Sequence, residues 1–295
     1  MRTLLAFFLL LPAIHAQQKR AGKTNYPPQL SGAEQRIYKK VDGVELTLYI
    51  FKPKDHRVSD PQPAIIFFFG GGWKAGSPAQ FAPHCEHYAK KGLVAITVDY
   101  RVKSRHGVKA VSCVEDAKSA IRWVRSQADQ LGIDPNRIVA GGGSAGGHLA
   151  AATGTVTQFD RESENLDISS VPNAMMLFNP ACILGPIPGK ETEWNKKAAS
   201  INERTGVPST EISPYHQIRK GNPPTIIFHG KADTTVPYQT AELFTMAMKK
   251  AGNRCDLVGF DDMPHGFFNR GRFQNKPFEK TLEKADAFLA SLGYL

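Results

Sequence analysis

A glycine-rich turn holds the residue pattern that most limits the fold of this 295-residue chain. Ser144 stands in the run Gly-Gly-Ser-Ala-Gly at residues 142–146, after a buried strand predicted at 137–140 and before a predicted helix. A turn this tight needs neighbours without Cβ atoms, because its backbone angles are strained. Glycine and serine also occur in ordinary turns. With suitable partners elsewhere in the chain, the pattern predicts Ser144 as an exposed nucleophile.

Short apolar runs alternate with helical patterns along the chain. Strands are expected at 44–51, 64–69, 94–98, 137–140, 225–228 and 256–260, and helices at 113–130 and 241–250. The runs at 64–69, 94–98 and 225–228 are continuously apolar, as strands covered on both faces are, whereas residues 44–51 alternate as a half-buried strand does. The alternation predicts an α/β domain with a mostly parallel sheet and helices on both faces. With 41% hydrophobic and 22% charged residues, one globular domain is expected over residues 37–295.

The first residues have the pattern of an export signal. Arg2 precedes an apolar run at residues 4–11, and Ala16 offers a small residue for cleavage. The apolar run is too short to cross a membrane, and no later run is long enough. We therefore predict a signal peptide at 1–16, a flexible leader at 17–36, and a secreted or periplasmic protein without stable membrane insertion.

The chain is basic, with a formal net charge of +10, of which residues 1–16 contribute only Arg2. A positive field attracts acidic partners, so an acidic polysaccharide is one expected partner; a lysine-rich soluble surface is the simpler alternative. The basic residues are dispersed, without a basic helix or an interleaved aromatic stripe. Nucleic acid is therefore not expected as a partner.

The cysteines and most histidines give no sign of a metal site or a cofactor. An exported protein can hold two disulfides, but a domain of this size is also stable with free buried thiols. No spacing typical of structural zinc occurs, and His84 and His87 lack a set of carboxylate partners. Packing roles are expected for His148 and His229. The four cysteines are Cys85, Cys113, Cys182 and Cys255.

A serine nucleophile needs a base and a carboxylate at the same edge of the sheet. Asp233 lies beyond the strand at 225–228, 89 residues after Ser144, and His265 lies beyond the strand at 256–260, 32 residues after Asp233. Asp99 is interpreted as structural, and the pair at 261–262 lies too close to His265 in sequence to orient it. We therefore predict Ser144, Asp233 and His265 as a catalytic triad.

Two further segments complete the predicted site. Residues 69–73 follow the first long apolar strand, and the amides of Gly71 and Gly72, with that of Ala145, are predicted to stabilise an oxyanion. Residues 181–222 are rich in proline and glycine and are predicted as a lid-like excursion over the carboxyl edge of the sheet. Trp73, Trp194 and Tyr215 are the predicted substrate-binding residues, with packing of the excursion as the alternative role for the last two.

These motifs resemble the α/β-hydrolases of the esterase and lipase group, near acetyl xylan esterases and related carbohydrate esterases with a His-Gly-Gly-Gly-Trp motif. The resemblance covers about residues 37–295, and Phe69 stands where the family usually has the histidine that helps to fix the glycine loop. The matching segments are residues 70–73, 98–101, 115–117, 132–138, 142–150, 229–230 with Asp233 and 236–237, and 265–267.

The resemblance implies an α/β-hydrolase fold and a serine esterase that needs no cofactor. With the predicted export, it implies removal of acetyl groups from a polysaccharide or oligosaccharide. A feruloyl esterase or a generalist short-chain carboxylesterase or lipase is the alternative. A secreted aminopeptidase, whose relatives carry a large extra domain, and a normally intracellular arylformamidase fit less well. A non-catalytic glycan-binding protein would not require the triad and the oxyanion glycines together.

Overall fold

A computed structural model gives the structure of residues 26–187, 189 and 199–295. Trp194, the predicted signal peptide at 1–16 and the first part of the predicted leader lie outside these residues. The strands are β1 (Glu34–Val41), β2 (Val44–Phe51), β3 (Gln62–Phe68), β4 (Val94–Val98), β5 (Ile133–Gly143), β6 (Ala174–Phe178), β7 (Thr225–Gly230) and β8 (Cys255–Phe260). The helices are α1 (Ala82–Lys90), α2 (Lys103–His106), α3 (Ala110–Ser126), α4 (Ala128–Leu131), α5 (Ala145–Thr155), α6 (199–205), α7 (Tyr238–Lys250) and α8 (Lys276–Ala290).

All eight strands form one sheet in the order β1-β2-β4-β3-β5-β6-β7-β8. The β1–β2 and β2–β4 pairs are antiparallel, and every pair from β4 to β8 is parallel. The predicted mostly parallel sheet is therefore confirmed. In the register, Phe68 lies opposite Gly142 and Gly143 lies opposite Phe178. The loop after β3 consequently begins beside the turn that holds Ser144.

The hydrophobic core lies on both faces of the sheet. Along β3, Ile66 and Phe68 pack on the face covered by α3, α5 and α7, whereas Ile65 and Phe67 pack on the face covered by α1 and α8. All four side chains are fully buried. This two-sided burial explains why the central strands are continuously apolar. None of the described helices is both long and apolar enough to cross a membrane.

The structure has elements that the sequence patterns did not predict. β1, β6 and α8 were not expected, and β5 begins at Ile133 and includes Pro135. The predicted leader at 17–36 also differs in its last part. The hydroxyl of Tyr26 donates a hydrogen bond to the buried carboxylate of Asp99, and β1 begins at Glu34 because its backbone pairs with β2.

Candidate active site

Ser144 lies at the turn between β5 and α5 with φ 55° and ψ −117°. Its N–H donates to the Phe178 carbonyl at 2.9 Å, which fixes the turn to the end of β6. A Cβ atom at Gly142 would lie 2.4 Å from the Gly146 carbonyl oxygen, and one at Gly146 would lie 2.0 Å from the Phe68 carbonyl oxygen. The glycines therefore allow the backbones of β3, β5 and α5 to meet closely around the serine.

The structure brings together the three side chains predicted as a triad. His265 Nε2 lies 2.9 Å from Ser144 Oγ, and His265 Nδ1 lies 2.7 Å from Asp233 Oδ2. An ionised carboxylate can only accept, so Nδ1 carries the imidazole hydrogen and Nε2 accepts the hydrogen of the serine hydroxyl. The Asp233 side chain is fully buried and the His265 side chain is 24% exposed. The series therefore runs from the interior towards the surface.

Asp233 is held in its charged form by a set of hydrogen bonds. Its Oδ1 accepts from the backbone N–H groups of Thr235 at 2.8 Å and Val236 at 2.9 Å. Its Oδ2 lies 3.4 Å from Nε2 of the buried His229, which also donates to the Val236 carbonyl at 2.8 Å. Burial alone would raise the pKa of Asp233, but the hydrogen bonds from His229, His265 and the backbone of Val236 hold it well below its usual range.

The glycine loop after β3 presents free backbone donors. Gly71 has φ 132° and a Cβ there would lie 2.0 Å from the Ala75 carbonyl oxygen, so only glycine fits. Among the described residues, none accepts a hydrogen bond from the amides of Gly71, Gly72 or Ala145. The Gly70 N–H, by contrast, donates to Gln80 Oε1 at 2.6 Å. The three predicted amides are thus free to bind an oxyanion, and the fourth is occupied.

Phe69 fixes this loop by packing, in the place where the family usually has histidine. Its ring stacks on Tyr100 at 4.0 Å between centroids, and the Tyr100 hydroxyl donates to the Phe69 carbonyl at 2.6 Å. A Cβ at Gly76 would lie 2.4 Å from the phenylalanine ring. Arg105 Nη1 donates to the Gly76 carbonyl at 2.8 Å. The start and the end of the loop are therefore both braced.

The residues predicted to bind substrate have different surroundings. The Trp73 side chain is largely buried: the residue is 8% exposed, and its Nε1–H donates to His148 Nδ1 at 3.1 Å. This leaves little of its ring to meet a substrate. Tyr215 is partly buried and packs edge-on against His216. The described part of the excursion reaches the glycine loop, because Arg204 Nη2 donates to the Gly72 carbonyl at 3.2 Å.

His84, His87 and His148 are held by packing or hydrogen bonds, and the four cysteines are buried. His148 is buried, and its Nε2 donates to the Ile212 carbonyl at 2.7 Å, as its predicted packing role requires. His84 is fully buried against the rings of Phe81, Phe178 and Phe278, and burial lowers its pKa to about 3. His87 lies 3.0 Å from Asp286. All four cysteines are free and buried.

Sequence reasoning missed three polar residues around the triad. Gln80 and Asn269 are hydrogen-bonded to each other although 189 residues separate them, and Asn179 Oδ1 accepts from the Gly266 N–H at 3.1 Å. No local pattern indicates such contacts. The 3.4 Å contact between His229 Nε2 and Asp233 Oδ2 was also missed. A histidine at the end of a strand, four residues before Asp233, is the signal that could have indicated it.

Known proteins resemble the chain in sequence and structure. The solved esterase Est2 of the Planctomycetes species Thermogutta terrifontis, in its native form, is 56% identical with a TM-score of 0.88, covering 93% of this chain and 97% of that one. Its butyrate-bound form is 55% identical with a TM-score of 0.89, covering 92% and 99%. Esterase LipC of Mycobacterium tuberculosis is 29% identical over 75% of this chain, and the match spans 56% of LipC.

Two families match the sequence. Residues 48–248 match the BD-FAE family, and residues 205–292 match the Dienelactone hydrolase family. The first match covers more than half of the chain and includes the glycine loop, Ser144 and Asp233. The chain therefore belongs to the BD-FAE family and is an α/β-hydrolase of the esterase type.

Proposed function

We propose that this chain hydrolyses carboxylic esters of short acyl groups through an acyl-serine intermediate on Ser144. The observation that carries the proposal is the hydrogen-bonded series from Ser144 to His265 at 2.9 Å and from His265 to Asp233 at 2.7 Å. In this proposal Ser144 is the nucleophile and His265 is the general base. Asp233 holds the imidazole tautomer and stabilises the imidazolium that forms.

The proposed cycle uses the three hydrogen-bonded triad side chains and the three backbone amides that have no acceptor among the described residues. Ser144 Oγ attacks the ester carbonyl while His265 Nε2 takes its proton. The amides of Gly71, Gly72 and Ala145 then stabilise the negative charge on the carbonyl oxygen. His265 returns the proton to the leaving alcohol, and the acyl group stays on the serine. Water, activated by the same imidazole, releases the acid and restores Ser144.

The natural substrate that we propose is an acetyl ester on a polysaccharide or oligosaccharide outside the cytoplasm. Support comes from the predicted signal peptide at 1–16 and from the resemblance of the motifs to carbohydrate esterases. The net charge, +10 for the full chain and +9 after Arg2 is removed with the signal peptide, would raise the local concentration of an acidic polysaccharide. Mass spectrometry of the mature amino terminus tests the export, because cleavage after Ala16 leaves Gln17 first.

A generalist short-chain carboxylesterase is the second candidate function. The observation that favours it is the butyrate-bound form of Est2, which shows a four-carbon acid on a protein 55% identical to this chain. The two functions differ in the part of the ester that they recognise. A carbohydrate esterase gains rate from the sugar alcohol, whereas a generalist depends mainly on acyl length.

The test is acid release from nitrophenyl acetate, butyrate and octanoate and from acetylated and feruloylated xylans. We expect the wild-type protein to cleave the acetate and Ser144→Ala to lose the activity. Ser126→Ala serves as the control, because Ser126 is exposed and its hydroxyl makes only local contacts, donating to the Trp123 carbonyl and accepting from Gln127 Nε2. Full activity of Ser144→Ala would overturn the proposed mechanism. A preference for nitrophenyl butyrate with no release from acetylated xylan would favour the generalist.

A further inference from the structure

Gln80 lies in a short 3-10 turn, Pro78–Phe81, between the glycine loop and α1. Both the oxygen and the nitrogen of its side-chain amide make a hydrogen bond. Oε1 accepts the N–H of Gly70 at 2.6 Å, and Nε2 donates to Asn269 Oδ1 at 2.9 Å. One neutral side chain therefore joins the loop that carries the predicted oxyanion donors to a segment near the carboxyl end of the chain.

Asn269 continues this connection to the loop of the predicted base. Its Nδ2 donates to the Gly266 carbonyl at 2.8 Å, and Gly266 directly follows His265. The Gly266 N–H donates to Asn179 Oδ1 at 3.1 Å, so the peptide units on both sides of Gly266 are held by amide side chains. The backbone next to the imidazole is thus linked through Asn269 and Gln80 to Gly70.

We propose that Gln80 and Asn269 form a positioning bridge that sets the distance between the oxyanion donors and the base. The inference rests on the proposed function, because it assigns both loops to one reaction. In this proposal neither side chain contributes an atom that reacts with the ester. The bridge acts through the positions of the Gly71 and Gly72 amides on one side and of His265 on the other.

The surroundings of Gly70 explain why a bridge at this point controls the loop. A Cβ at Gly70 would lie 2.9 Å from the Gly143 carbonyl oxygen and 3.4 Å from the Ser144 Cβ, so the glycine backbone lies directly against the nucleophile turn. The bond with Gln80 also occupies the Gly70 amide and leaves the next two amides for the oxyanion. On the other side, Gly72 is held by the exposed Arg204.

The chemistry of the bridge requires a side chain that both accepts and donates. A glutamate at position 80 would still accept the Gly70 N–H, but it could not donate to Asn269 Oδ1. A leucine would have a similar size and would do neither. Gln80→Glu and Gln80→Leu therefore separate the two halves of the bridge, and Asn269→Leu breaks it from the other side.

The test compares Gln80→Leu, Asn269→Leu and the double variant by their kcat and KM for nitrophenyl acetate. The kcat is expressed per active site titrated with a phosphonate ester. We expect kcat to fall about 10- to 100-fold in each single variant, because oxyanion donors that move out of place stabilise the transition state less. KM should stay nearly unchanged, because these donors contribute little to binding of the substrate. The double variant should be no slower than the slower single variant, because the two residues act as one unit. Gln80→Glu should recover part of kcat.

Controls separate positioning from stability. Gln62→Leu is the matched control, because Gln62 Nε2 donates only to the Asp60 carbonyl, far along the chain from the triad; its kcat should equal that of the wild type. Inhibition by a trifluoromethyl ketone, which forms a tetrahedral adduct with an oxyanion, should weaken in step with kcat/KM. Unchanged kcat per titrated site with only a lower Tm, or additive losses in the double variant, would overturn the bridge. An inactive wild-type protein would instead overturn the proposed function.

Discussion

Asp233 uses its two carboxylate oxygens for different tasks. Oδ1 accepts from the backbone N–H groups of Thr235 and Val236, whereas Oδ2 faces His265 and His229. The backbone donors fix the rotation of the side chain. The oxygen that faces the imidazole is therefore always an acceptor, and His265 keeps its hydrogen on Nδ1.

Replacing Asp233 by asparagine should reverse this tautomer. The amide oxygen will take the place of Oδ1, because two backbone N–H groups require an acceptor there, and the NH₂ group will then face His265 Nδ1. The imidazole must move its hydrogen to Nε2 and loses its function as a base. We expect kcat for nitrophenyl acetate to fall about 10⁴-fold with a Tm close to that of the wild type. A loss below tenfold would contradict the assigned role.

The buried histidine at position 84 should make the protein sensitive to acid. In the folded protein burial lowers the pKa of His84 to about 3, whereas in the unfolded chain it has its ordinary value near 6.5. Between these values the unfolded state binds the extra proton, so stability is lost as the pH falls below about 6.5. His84→Leu should remove this loss, and its free energy of unfolding relative to wild type should rise by about 2 kcal/mol between pH 7.5 and pH 5. Urea unfolding at both pH values is the measurement, and parallel pH dependences would refute the assignment.

At the scale of elements, α5 depends on contact with the backbone of the sheet. Every residue of this helix from Ala145 to Thr155 is buried. Its first turn meets β3 through Gly146, where a Cβ would lie 2.0 Å from the Phe68 carbonyl oxygen and 2.4 Å from the Phe69 carbonyl oxygen. Backbone atoms on both sides cannot move away as a flexible side chain would.

Gly146→Ala should therefore separate α5 from β3 and destabilise the protein by at least about 4 kcal/mol. The matched control is Gly252→Ala after α7, where φ is +81° but no atom lies within 4 Å of an added Cβ. That variant should lose only about 1–2 kcal/mol through backbone strain. Urea unfolding of both variants is the measurement. Equal stability of the two would show that the helix can shift without cost.

Local patterns predicted the elements that carry the triad. Ser144, Asp233 and His265 each follow an apolar strand, and parallel strands bring their carboxyl ends to one edge of the sheet. Strands without that pattern were missed. β1 carries four charged residues, at 34, 36, 39 and 40, and β6 is a five-residue strand of alanine, methionine, leucine and phenylalanine without β-branched residues. The Gln80–Asn269 contact could not be predicted from local patterns, because the sequence around each residue carries no information about the other.

At the scale of the whole molecule, a buried ionic cluster joins distant parts of the sheet. Asp116 on α3 lies 2.7 Å from Lys39 Nζ on β1 and accepts two hydrogen bonds at 2.9 Å from the Arg101 guanidinium, beyond β4. Arg101 and Asp116 belong to the segments 98–101 and 115–117 that resemble the family in sequence. The structure shows why they accompany the fold: they fix the antiparallel edge to the helix layer.

The four cysteines of the chain have a consequence for experiments on opening of the fold. Each thiol is buried, and burial raises the pKa of each above its ordinary value, to about 11 for Cys255. Iodoacetamide reacts with thiolates, so we expect no labelling of the native protein at pH 8 and labelling of all four sites in urea. Rapid labelling of one site in the native protein would contradict the prediction. Because the thiols lie in α1, α3, the excursion and β8, the order in which they become alkylated on partial denaturation would record which region opens first.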